Sequence, residues 1–174
     1  MSEPITHASF CVERTFPAPP ARVFAAFADP DLKAAWFRGP YGWEASTRTL
    51  DFREGGHETT AGEVPGEWSS RFEATYHVIE PDAQIVYSYV MYHSDVRLSV
   101  SVATLELDAL DGGAATRLVM TEQGAYFVGG EAANAEREAG PEGVRCGGRE
   151  GPSRRCRRIR PRPRRRRPTV VSGS

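Results

Sequence analysis

Lysine is almost missing from this chain of 174 residues: Lys33 is the only one. Cysteine is scarce too. Cys11, Cys146 and Cys156 form an odd, widely spaced set, which argues against a disulfide framework and suits a reducing cytosol. Cys146 and Cys156 have no histidine beside them, and no His-x-x-x-His spacing occurs, so no metal site is expected. No apolar run approaches the ~18–20 residues that cross a bilayer. Met1–Phe10 carries Glu3 and His7 and lacks a basic start followed by an apolar stretch, unlike a secretory leader. The Gly-x-Ser-x-Gly elbow, the P-loop and the dinucleotide fingerprint are all missing, so no catalytic residue and no cofactor is implied by motif. A cytoplasmic protein without a membrane span is the expectation.

What is present falls into two parts of opposite charge. Residues 1–140 hold 10 Lys and Arg against 21 Asp and Glu, a net of −11, while residues 141–174 hold 12 Arg and two Glu, a net of +10. The near-neutral whole therefore joins an acidic body, the size of one ordinary domain, to an arginine-, proline- and glycine-rich tail of disordered composition. Runs such as Arg164–Arg167 would hold polyanions by releasing counterions from phosphate, but no aromatic interleaves them to stack on bases. That binding is expected to be non-specific sticking only.

Within the body, 7–16 alternates as a strand, with Phe10, Val12 and Arg14 on one side. Pro17, Pro19 and Pro20 stop it and open a helix with Val23, Phe24 and Phe27 on one face. Asp29-Pro30 reads as a cap and first-turn proline for a second short helix, with Leu32, Trp36 and Phe37 on its buried side. From Trp43 the period becomes two. Strands are expected over 43–52, 57–62, 71–79, 84–93, 96–107 and 115–123. Turns at Glu54-Gly55-Gly56, Glu80-Pro81-Asp82, His93-Ser94-Asp95 and Asp111-Gly112-Gly113 separate them. The fold class is α+β: a curved antiparallel sheet of six to seven strands with two short helices after the first. Such a sheet has an apolar face that needs cover, and Glu131–Ala139 has the propensity to start a third helix before Gly140-Pro141 breaks it.

Several motifs, in order, carry a resemblance: Glu13-Arg14 through Phe16 to Phe24, Trp36-Phe37, Asp51-Phe-Arg-Glu-Gly-Gly56, Tyr76-His-Val-Ile-Glu-Pro81 and Ile85-Val-Tyr87. Between about residues 7 and 139 the chain resembles the homologues of the activator of the heat-shock-protein-ninety ATPase, a group within the START and birch-pollen-allergen superfamily. The resemblance implies a helix-grip fold, in which the sheet wraps a long C-terminal helix around an apolar cavity. It implies binding of a small apolar molecule with little or no catalysis. The alternatives are a chaperone ATPase activator-like stress-response module, with a chaperone as partner, and a polyketide cyclase-like enzyme. Function is loosely tied to this fold.

The chain departs from the family's pattern at its end, where arginine, glycine and proline replace a Leu- and Ala-rich helix. Alanine codons of a G+C-rich gene read out of frame give those residues, so the stretch from about residue 141 reads as a frameshifted ending. Resequencing decides this: an apolar helical pattern must reappear in another frame. Without its closing helix the domain is expected to be marginal and prone to form a homodimer or to aggregate through the uncovered face.

The expected ligand-lining set is Trp36, Phe37, Trp43, Phe72, Tyr76, Tyr87, Tyr89, Val100, Met120 and Glu122. The aromatics supply area and polar tips. Val100 is placed inward together with Val96, Leu98 and Val102, leaving Ser99 and Ser101 on the outer face. Glu122 is placed at the cavity mouth as an acid–base candidate, with plain surface exposure as the blander reading. His57, His77 and His93 read as solvated strand-edge residues.

Overall fold

The computed structural model describes residues 4–39 and 43–128. Strand β1 (Thr6–Phe16) ends where prolines remove the donors a ladder needs. Pro20 then occupies the first turn of helix α1 (Pro20–Ala28). Asp29 ends α1 and starts α2 (Pro30–Trp36): its Oδ1 accepts from the backbone N–H of Asp31 and of Leu32, both at 2.9 Å. The indole N–H of Trp36 donates to the carbonyl of Ala26 at 2.8 Å and locks the two helices together.

Six strands follow: β2 (Glu44–Leu50), β3 (His57–Val64), β4 (Trp68–Glu80), β5 (Gln84–His93), β6 (Val96–Leu110) and β7 (Ala115–Tyr126). They pair as successive antiparallel neighbours, and β1 pairs with β7, so the sheet order is β1-β7-β6-β5-β4-β3-β2. Strands β1 and β2 thus form opposite edges, and the α1–α2 segment that links them carries the chain across one face of the curved sheet. We call that face inner. Val23 of α1 is buried in the same core as Phe72, Tyr76, Ile85, Ala103 and Leu105, with Phe24, Phe27 and Phe37 packed against it. The threonine hydroxyl of Thr116 anchors the start of the crossing by donating to the Ala18 carbonyl at 2.7 Å.

The turn between β2 and β3 is pinned to β4. Gly55 N–H donates to the Tyr76 carbonyl at 2.8 Å, and Tyr76 N–H donates to the Gly56 carbonyl at 3.0 Å. Gly55 sits at φ +74, and a Cβ on Gly56 would lie 2.1 Å from the Asp51 carbonyl oxygen, so the two glycines serve different needs. Just beyond Tyr76 the β4–β5 register shifts. His77 is exposed there and its Nε2 is 2.7 Å from the Ser88 hydroxyl.

Three expectations are corrected. On α2, Leu32 is 49% exposed while Lys33 is buried; the inward face is the one Lys33 shares with Trp36 and Phe37, three and four residues on. On β6, Ser99, Ser101, Ala103 and Leu105 are buried while Val100 and Val102 are 39% and 42% exposed. Val100 therefore belongs to the outer face, because β6 pairs with β7 without a bulge and the inward Leu105 and Leu107 fix its parity. Finally, Cys11 is disulfide-bonded. The helix expected at Glu131–Ala139 and the tail from 141 lie outside the described residues.

Candidate functional site

The inner face holds a connected set of aromatic rings. Phe27 meets Trp36 edge-on, Trp36 meets Phe37, and Phe37 meets Phe72, with centroids 5.1–5.7 Å apart. Phe72 continues to Tyr87 and Tyr89, and Tyr87 to Tyr76, which touches Phe52. These spacings and edge-to-face angles are those aromatic quadrupoles favour. Six of the sequence-derived residues, Trp36, Phe37, Phe72, Tyr76, Tyr87 and Tyr89, thus form one surface shared between α2, β4 and β5. Met120 packs against the same core. Trp43 stands apart, its ring over Gly62, its indole N–H donating to the Ser70 hydroxyl at 3.0 Å.

A charged cluster is set into this apolar surface. Lys33 Nζ lies 2.5 Å from Glu58 Oε2 and donates to the Tyr76 hydroxyl at 3.1 Å, and that hydroxyl donates to the same Glu58 oxygen at 2.6 Å. The side chains of Lys33 and Glu58 are 10% and 3% exposed. Each comes from a different element: α2 is placed by the Asp29 cap, β3 lies beside β4 with Glu58 opposite Ala74, and Tyr76 is held by the glycine turn. Burial pushes the Lys33 ammonium below its ordinary value, with Glu58 pulling the other way by its charge and hydrogen bond. Burial raises the Tyr76 phenol far above its ordinary value, and the Glu58 carboxylate raises it further.

A second carboxylate lies on the same face. Glu122 is 2% exposed and accepts from the Tyr126 hydroxyl at 3.2 Å. It is therefore buried and not on the surface, since β7 stays regular to Tyr126 and keeps Glu122 on the side of Leu118 and Met120. Tyr87 is raised by burial and then by both Glu58 and Glu122, so the two carboxylates share one electrostatic environment. On β6, opposite Tyr126 and Gly124, the hydroxyls of Ser99 and Ser101, on 0% and 1% exposed residues, have no hydrogen-bond partner among the described residues.

Sequence reading missed Lys33 and Glu58. Their signal was available in part: Lys33 lies three and four residues before Trp36 and Phe37, and Glu58 is two before Thr60 on an alternating strand. His57, His77 and His93 are exposed, as expected; His57 pairs with Thr75, and His93 stacks on Trp68. Among the described residues no group of acidic, histidine or cysteine side chains could hold a metal ion, and no helix is long and apolar enough to cross a membrane. Two shallow grooves, of about 340 and 520 Å³, cross the outer face of the sheet, one around Thr59, Glu73 and Val90, the other around Ser9, Val102 and Gln123.

The family model described as Activator of Hsp90 ATPase homolog 1-like protein matches residues 17–147. This chain belongs to that family. The Hsp90-activator-homologue fold is seen in solved structures similar to it. Mll3558 from Rhizobium loti is 36% identical, with a TM-score of 0.70, covering 79% of this chain and 92% of its own. A protein from Rhizobium leguminosarum is also 36% identical, with a TM-score of 0.69, over 77% of this chain and 86% of its own. Ms6760 from Mycobacterium smegmatis, at 19% identity and a TM-score of 0.57 over 80% and 87%, shares the fold alone. No curated protein matches the chain. Seven antiparallel strands with two short helices across the inner face agree with the helix-grip plan of this family.

Proposed function

We propose that this protein binds a small, largely apolar molecule against the inner face of its sheet, with the Lys33–Glu58–Tyr76 cluster fixing the ligand's polar end. The observation that carries the reading is the conjunction of a continuous aromatic surface with a charged cluster inside it. Apolar walls with a few convergent polar groups are the usual composition of a ligand site. A buried ion pair is also a costly way to stabilise a core, because well-packed apolar residues do as well or better. Family membership supports ligand binding and, equally, a chaperone-activator role. Polar groups turned inward favour the small molecule over a protein partner, which would engage the outer surface.

Native mass spectrometry of the purified chain tests this, together with titration by 1-naphthol followed through tryptophan fluorescence. Saturable quenching is expected, weakened about tenfold or more in Phe72→Ala, the value of burying one aromatic side chain. A chain that carries no apolar mass and shows no saturable quenching defeats the proposal.

A further inference from the structure

Lys33 has three ammonium hydrogens and two polar partners, Glu58 and Tyr76, which are also bonded to each other. Its remaining direction looks onto rings: Nζ is 5.5 Å from the Phe37 centroid and 5.8 Å from that of Tyr76. A primary amine is thus held in an aromatic setting with a proton acceptor and a phenol side by side against it. A purely structural ion pair needs neither the phenol bridging both partners nor two aromatic rings beside the nitrogen. Resting on the reading of the inner face as a small-molecule site, we propose that Lys33 condenses with the carbonyl of an apolar aldehyde to form an imine, Glu58 and Tyr76 relaying the protons.

The step balances within the cluster. Lys33 passes one proton to Glu58, and the lone pair so exposed on Nζ attacks the carbonyl carbon. The C–O π electrons move to oxygen, which gains a proton relayed from nitrogen through Tyr76, giving a carbinolamine. Glu58 returns its proton to that hydroxyl as the C–O bond breaks. One water leaves, and a protonated C=N bond remains beside the regenerated carboxylate. Nothing is oxidised or reduced. Burial of the ammonium, which favours its neutral form, assists the first transfer.

Because Lys33 is the only lysine, the chain's α-amino group is the one competing primary amine. The full chain is incubated with benzaldehyde and sodium cyanoborohydride at neutral pH, folded and in urea, and the adduct is located by peptide mapping. The folded chain is expected to fix one adduct at Lys33 about tenfold or more faster than the unfolded chain. Tyr76→Phe slows it. Labelling of Lys33 in the folded chain at the unfolded rate or below overturns the imine. If benzaldehyde then still quenches tryptophan saturably, only the covalent step is lost; if it does neither, the ligand site falls with it.

Discussion

Tyr76 and Tyr87 face each other across the β4–β5 ladder with ring centroids 5.7 Å apart, and both phenols lie within reach of the Glu58 charge. Both are raised well above the ordinary value of 10.0. Their protonated forms contribute stability that is fully present below about pH 10 and is lost as the pH climbs toward their folded values. Lys33 acts oppositely. Its folded value is lowered from 10.5, so stability rises with pH up to 10.5 and gains nothing from it beyond. Above pH 10.5 the loss from these two phenols is no longer offset by Lys33, and the thermal midpoint should fall. Phenolate absorbance should show Tyr76 and Tyr87 ionising only as the chain unfolds. A complete phenol titration of the folded protein near pH 10 contradicts this.

Breaking the buried pair should cost far more than replacing it. Glu58→Ala leaves the Lys33 ammonium buried beside an unpaired phenol, and a loss of about 3–5 kcal/mol is expected by urea denaturation. Lys33→Met with Glu58→Leu should recover most of that loss. Additive losses in the double variant show that the two side chains do not act as a unit.

The paired glycines should respond differently to alanine. Gly55→Ala meets open space but keeps a positive φ, costing about 1 kcal/mol. Gly56→Ala drives a methyl into the Asp51 carbonyl and releases the turn that holds Tyr76, so its cost should exceed about 2 kcal/mol. Equal midpoints for the two variants in a urea titration contradict the packing described.

Ser99→Ala should leave stability unchanged or raise it by up to about 1–3 kcal/mol, because it removes a buried hydroxyl that has no partner among the described residues. The measurement is the denaturation midpoint of the ligand-free chain. A large loss reveals a hydrogen bond to that hydroxyl.

Asp29→Ala should cost about 0.5–2 kcal/mol, since it removes the acceptor for two N–H groups at the start of α2. Because α2 presents Lys33, the same variant should also weaken 1-naphthol quenching. Unchanged quenching with reduced stability shows that the site does not depend on the cap.

The sheet was legible because period-two alternation and turn residues are local signals, and β2 to β7 are joined by short turns. The Asp29-Pro30 cap and the Glu54-Gly55-Gly56 turn were legible for the same reason. Faces were harder. In β6 the even-numbered residues from Val96 to Val102 look apolar, while the inward set changes to Ala103, Leu105 and Leu107 farther along. Only pairing with β5 and β7 chooses between the two parities, and pairing is not local. Lys33 and Glu58 were missed because each alone reads as solvated. Their partnership spans 25 residues in sequence and exists only once the helices cross the sheet. Glu122 illustrates the same point: its burial follows from the strand continuing straight to Tyr126.

The pairing of β1 with β7 joins Thr6 to Tyr126 and Phe16 to Thr116, the first with the last of the strands among the described residues. A nascent chain therefore emerges with one edge strand waiting for a partner until translation has passed residue 126. Until then the sheet can grow only from β2 toward β6, and the helices have no finished floor to lie on. Such long-range closure slows folding and lengthens exposure of the greasy face, so this polypeptide depends on being completed before it is safe from its neighbours.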